Sequence, residues 1–150
     1  MPASVLVVDD DADFRWLLIT LLEADPCVHI AGEAADGETS VDRVRQEAPR
    51  IVLMDLMMPR RDGLEATRQI KREAPETTVI VLSALPGEPY RSMARDSGAD
   101  VFLNKQGHSG DAIADYPRSL GSGIVNTWCR RSREQYAQHL STVRYEVLLQ

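Results

Sequence analysis

Five times along the chain, a short strand-like run, consecutively apolar in all but the second, gives way to a longer stretch where apolar residues recur every three or four positions. The first run is Val5-Leu6-Val7-Val8, opened by Ser4. The third, Ile51-Val52-Leu53-Met54, runs straight into Asp55, and Pro59, Asp62 and Gly63 signal a loop after it. The fourth spans Thr77 to Leu82 and ends in Ser83. The fifth spans Asp100 to Asn104 and ends at Lys105. Such runs, bounded by turn residues, read as strands buried on both faces. The second strand, Val28 to Ala34, is weaker, with Val28, Ile30 and Ala34 alternating with other positions.

The stretches between the strands have helical spacing. From Ala12 to Ala24, the apolar Phe14, Leu17, Leu18, Leu21 and Leu22 share a face, with Arg15 and Glu23 between them, and Asp25-Pro26 stops the helix. Asp36-Gly37 marks a turn before a second helix over Glu38 to Ala48, with Val41 and Val44 inward and Pro49 at its end. Gly63 opens a third over Leu64 to Glu73, with Leu64, Thr67 and Ile70 on one face and Pro75 beyond it. Pro86, Gly87 and Pro89 form a loop, a short helix runs from about Pro89 to Ser97, and Gly98-Ala99 is its exit. Strand and helix alternate throughout, and the strands are continuously apolar. This predicts an α/β fold with a doubly wound, parallel five-stranded sheet.

Chemically useful residues fall at equivalent places. Asp9 and Asp10 follow the first strand, Asp55 ends the third, Ser83 the fourth and Lys105 the fifth. Parallel strands bring these ends to one sheet edge, where open α/β sheets bind ligands. Taken alone, Asp55 is equally an ordinary loop or cap carboxylate, Ser83 a strand-end hydroxyl and Lys105 a solvated charge. Asp9-Asp10-Asp11 and Asp13 need more than that, because like charges this close repel unless a cation offsets them. One of Asp11 and Asp13 caps the next helix. A hard, oxygen-seeking cation such as Mg²⁺ accounts for Asp9 and Asp10. Together the set suits phosphoryl chemistry. Asp55 is the nucleophile toward phosphorus, Asp10 with Asp9 holds Mg²⁺, and Lys105 and Ser83 meet phosphoryl oxygens.

Length and charge narrow the picture. A chain of 150 residues holds one domain with room for an appendage. Its net charge of -6 argues against nucleic-acid binding by this chain alone. The acidity is confined to residues 1–105, which carry 19 acidic and 12 basic residues; residues 106–150 carry 4 and 5. Cys27 and Cys129 lack metal-ligand spacing and read as reduced thiols. No apolar run reaches the ~20 residues of a membrane span, and the amino terminus lacks a signal-peptide pattern, so the expected location is cytoplasmic.

The strand-end motifs resemble the receiver domain of two-component response regulators. The matching segments are Val7-Val8-Asp9-Asp10, Leu53-Met54-Asp55-Leu56-Met57-Met58-Pro59 with Asp62-Gly63, Val81-Leu82-Ser83-Ala84, and Gly98-Ala99-Asp100-Val101-Phe102-Leu103-Asn104-Lys105. They cover about residues 3–105, and their phrasing is most similar to receivers that usually carry a helix-turn-helix output domain. The resemblance implies a flavodoxin-like (βα)5 fold, bound Mg²⁺ and transfer from a phosphohistidine on a sensor histidine kinase to Asp55. It further implies a metal contact from the backbone carbonyl of Met57, and a switch pair formed by Ser83 and Phe102. On the residues alone, Phe102 reads as a core aromatic, as a single aromatic in a strand usually is.

The chain departs from the pattern after Lys105. Gln106 stands where the family commonly has proline, so a trans peptide or a rearranged loop is expected there. Asp111 to Leu120 predicts a fifth helix, kinked or shortened by Pro117. The receiver is expected over 1–120 and a helical tail over 121–150. The tail shows no helix-turn-helix pattern. Its apolar stripe, including Trp128, Tyr136, Leu140 and Val143, suits packing on its own domain, or pairing with a second copy or a partner groove. A Mg²⁺-dependent phosphohydrolase is disfavoured, since Met57 stands where a second acid/base aspartate would be needed.

Overall fold

A computed structural model describes residues 2–104, apart from Ala24, Asp25, Cys27 and Pro86 and the side chains of Leu21 and Asn104. The strands are β1 (Ala3–Val8), β2 (Val28–Ala34), β3 (Ile51–Asp55), β4 (Thr78–Ser83) and β5 (Val101–Asn104). The helices are α1 (Ala12–Glu23), α2 (Gly37–Glu47), α3 (Gly63–Glu73) and α4 (Tyr90–Asp96). Each expected element up to Asn104 is present, with ends shifted by one residue or so. The predicted fifth helix and tail lie outside the described residues.

All strand pairs are parallel, in the order β2-β1-β3-β4-β5. This is the doubly wound, flavodoxin-like arrangement, in which the strand order reverses between β1 and β3. All five residues of β3 are buried, which is why the run carries no polar alternation. Its side chains divide between the two faces. Val52 and Met54 join Val41 and Val44 of α2 and Leu64 and Ile70 of α3. Ile51 and Leu53 join Leu18 and Leu22 of α1. Burying a side chain of this kind contributes about 1.5–3 kcal/mol relative to leaving it exposed. At one edge of the sheet, β2 is only partly buried, with Ala34 its one buried position. The β1–β2 register slips between Val5 and Leu6, leaving Ala31 as an extra residue in a bulge.

Short carboxylates start three helices. Asp11 accepts from the amides of Asp13 (3.0 Å) and Phe14 (3.1 Å), so it is the cap and Asp13 is not. Asp36 accepts from Thr39 N at 2.8 Å and Asp62 from Glu65 N at 2.7 Å. Such caps satisfy amides that a helix's first turn leaves without partners.

At the amino ends of the strands, the cross-connections are direct. Lys71 Nζ donates to the carbonyls of Pro75 (3.0 Å) and Thr77 (2.9 Å) and pairs with Asp100 Oδ2 at 3.0 Å. That same carboxylate oxygen accepts from Val79 N at 2.8 Å. The Thr77 hydroxyl donates to the Pro49 carbonyl at 3.0 Å. These bonds tie α3, β4 and β5 together on the side away from Asp55.

Candidate functional site

Val8 of β1 pairs with Met54 of β3, so Asp9 and Asp55 leave the sheet side by side, and Asp10 follows. One carboxylate oxygen from each of Asp9, Asp10 and Asp55 lies within 4.8 Å of the other two. Asp9 is 1% exposed and Asp55 4%, whereas Asp10 is open to solvent. Two unit charges ~5 Å apart repel by about 3 kcal/mol at the effective dielectric of a protein surface. Three oxygen donors at this spacing therefore fit a hard divalent cation such as Mg²⁺, which removes that cost.

Asp9 is held at its amide, its carboxylate and its carbonyl. Its amide donates to the Ala34 carbonyl at 3.1 Å, and its carboxylate accepts from Asp11 N at 2.9 Å. Its carbonyl accepts from an Arg15 terminal nitrogen at 2.7 Å. Arg15 also donates from Nε to Glu33 at 2.9 Å. Helical spacing placed Arg15 among the polar positions of α1. In the fold its side chain is only 16% exposed and reaches back toward the strand ends.

The loop from Asp55 to α3 is folded tightly over the strand end. Leu56 N donates to the Leu82 carbonyl at 2.9 Å, and Gly63 N donates to the Leu56 carbonyl at 3.2 Å. A Cβ on Gly63 would stand 1.9 Å from the Asp55 carbonyl oxygen, a distance no side chain can occupy. Glycine is thus required here by close approach of backbone to backbone. The same loop leans on the start of α2. A Cβ on Gly37 would lie 2.3 Å from the Arg61 carbonyl oxygen. Arg60, at φ 67, reaches to within 3.7 Å of Asp36. The Thr39 amide holds the Asp36 carboxyl below the ordinary carboxylate range, with Arg60 a lesser cause.

The remaining predicted residues divide. Met57 lies in the loop two residues past Asp55, with its side chain largely exposed. Ser83 is fully buried at the end of β4, one step beyond the Asp55–Leu82 register pair. Its hydroxyl donates to the Leu85 carbonyl at 2.9 Å and accepts from Leu85 N at 3.0 Å. A hydroxyl has one proton, so in this arrangement Ser83 is turned onto its own loop. Phe102 is half-buried against the apolar cluster beneath α2, α3 and α4. Lys105 lies outside the described residues. The structure brings Asp9, Asp10 and Asp55 together at the sheet edge where their spacing places them. The inward reach of Arg15 and the Asp36–Arg60 contact have no local signature in the sequence. The collision that requires Gly63 could have been suspected from a glycine eight residues past a strand-end acid.

Residues 5–115 match the model of the response regulator receiver domain. The chain is 44% identical over 123 residues to a protein-glutamate methylesterase/protein-glutamine glutaminase of Geobacter metallireducens, covering 82% of this chain and 32% of that protein. It is 36% identical over 119 residues to the transcriptional regulatory protein LiaR of Bacillus subtilis, covering 79% of this chain and 56% of that one. The crystal structure of the response regulator domain of Thermotoga maritima CheB matches with a TM-score of 0.68 at 28% identity, covering 92% of this chain and 93% of that one. The chain spans about a third of the methylesterase and somewhat over half of LiaR.

Proposed function

The chain belongs to the response regulator receiver domain family, and from that premise we propose that it is a phospho-acceptor switch whose acceptor is Asp55. The observation that carries this reading is the meeting of Asp9, Asp10 and Asp55 at the carboxyl edge of the sheet, with Asp55 buried on the central strand. The donor is a phosphohistidine on a sensor histidine kinase. An Asp55 carboxylate oxygen attacks phosphorus, an O–P bond forms as the N–P bond breaks, and the imidazole leaves with the bonding pair. Mg²⁺, held by Asp10, Asp55 and the Met57 carbonyl with Asp9 in support, would neutralise charge on the phosphoryl oxygens. Lys105 supplies a point charge to one of those oxygens. Ser83 exchanges its bond to Leu85 for one to another oxygen, and Phe102 turns inward behind it. The chain is itself the modified switch and does not turn over a separate substrate.

Residues 1–120 form the receiver, and residues 121–150 carry the output to a protein partner or a second copy of the chain. The kinase's phosphohistidine makes the cytoplasm the compartment of action. Incubation with Mg²⁺ and a small phosphodonor is expected to add one phosphoryl group by intact mass. The adduct should be stable in acid, labile in base and absent from Asp55→Asn. A wild-type protein that gains no mass would overturn the reading. A second reading is DNA-binding transcriptional regulation, favoured by the likeness to LiaR and opposed by the net charge of -6. It requires salt-dependent binding to duplex DNA that is lost on deleting residues 124–150.

A further inference from the structure

We infer that Arg15 is a positioning residue for the metal-binding carboxylates, acting through the Asp9–Asp10 peptide; this rests on the Mg²⁺ reading of the site given above. A peptide unit is planar, so fixing its carbonyl fixes the plane through which the next residue departs. The carbonyl that Arg15 grips belongs to Asp9, and the residue that departs from that plane is Asp10. Asp10 is the exposed member of the three-carboxylate group. The buried Asp9 has further anchors, from its amide to Ala34 and from its carboxylate to the Asp11 amide. The 2.7 Å bond from Arg15 governs how the two carboxylates stand relative to one another.

The geometry calls for arginine in particular. A guanidinium presents several donors in one rigid plane, so a single side chain can hold two acceptors at fixed separation. Here Nε engages Glu33 of β2 at 2.9 Å while a terminal nitrogen engages the Asp9 carbonyl. Glu33 is half-exposed and lies 18 residues from Arg15 in the chain. It sets the angle of the fork, and the Val7–Glu33 register of β1 and β2 sets where Glu33 stands. The result is a closed link from β2 through Arg15 to the turn that bears Asp9 and Asp10. Arg15 touches none of the reacting groups. Its effect belongs in the affinity for the cation more than in the transfer step.

Outer partners of metal ligands typically set 10–100-fold in metal affinity. Mg²⁺ titrated calorimetrically into the full chain should bind Arg15→Ala about tenfold more weakly than wild type. Glu33→Gln keeps the guanidinium but loosens its angle, and should weaken binding in the same direction by about threefold. In phosphodonor assays the half-saturating Mg²⁺ concentration should rise more than the rate at saturation falls. Thermal unfolding of each variant supplies the contrast, because a merely structural role would lower the midpoint and leave Mg²⁺ affinity below that midpoint untouched. Wild-type affinity in both variants would overturn the inference, as would that structural outcome. If Arg15→Ala fails to fold, Glu33→Gln decides alone. A wild-type chain that binds no Mg²⁺ would remove the site reading, and this inference with it, whereas normal binding by wild type and variants alike removes the inference only.

Discussion

The two edges of one sheet treat charge in opposite ways. At the amino edge, Lys71 meets Asp100 and two carbonyls, and the Asp100 oxygen nearest to it also takes the Val79 amide. Opposite charges are matched there and backbone groups are satisfied. At the carboxyl edge, Asp9, Asp10 and Asp55 bring three like charges within 4.8 Å of one another. The strands that pass between the edges are the same strands with the same apolar filling. The difference lies in what each edge gathers: one pairs opposite charges across three elements, and the other brings carboxylates from two strand ends together.

The comparison breaks most severely at Gly63. With 1.9 Å between a Cβ and the Asp55 carbonyl oxygen, Gly63→Ala must push either the β3 end or the α3 start aside. Phosphorylation of Asp55 should fall more than tenfold, and stability by about 1–3 kcal/mol, as for other overpacked sites. Intact-mass kinetics and denaturant unfolding would measure the two effects together. Unimpaired phosphorylation in this variant would mean that the loop does not set the acceptor's position.

The amino edge should respond in the opposite sense. Asp100→Ala removes the partner of Lys71 and leaves Val79 N without its acceptor, at a cost of about 2 kcal/mol. That corresponds to a drop of about 10 °C in the unfolding midpoint of a domain this size. Mg²⁺ affinity and the phosphorylation rate of the protein that remains folded should match wild type. Loss of phosphorylation in step with Asp100→Ala would show that the two edges are coupled.

A third pair tests whether matching alone is what strengthens the amino edge. Arg45 of α2 grips Glu73 of α3 through two bonds, 2.8 and 2.9 Å long, out in solvent. The hydrogen bond from Arg45, with a second from Gln69, lowers the Glu73 carboxyl from 4.5 to about 2. Because the folded value lies below the ordinary one, the pair's contribution is present above about pH 4.5 and is lost as pH falls toward 2. The stability difference between wild type and Glu73→Gln should be small at neutral pH, shrink with added salt, and fade as pH falls through about 2. A difference that does not shrink between neutral pH and that range would exclude charge as its source.

The contrast between edges was partly legible in the sequence, and the reason is physical. A strand buried on both faces must be apolar throughout, so β1, β3 and β4 announce themselves, and a carboxylate at the end of such a run stands out. That is why Asp9, Asp10 and Asp55 could be gathered from spacing and topology. Ser83 could be placed at its strand end, but its engagement with Leu85 is a matter of turn geometry that no residue type encodes. Arg15 was read as part of a polar helix face because periodicity sees only its neighbours, and Glu33 is 18 residues away. The Lys71–Asp100 pair, 29 residues apart, was invisible for the same reason. The expectations for Lys105 and for the fifth helix and tail fall outside the described residues.

The bulge in β2 bears on how these molecules behave in a crowd. A sheet's outer strands offer unpaired amides and carbonyls on which another chain can add a strand, the first step of many aggregates. Here one rim carries an extra residue at Ala31 and exposed His29 and Glu33, and the other, β5, is only four residues long. Neither rim is a straight, regular template. Among the described residues, both rims therefore offer a poor template on which another copy could add a strand.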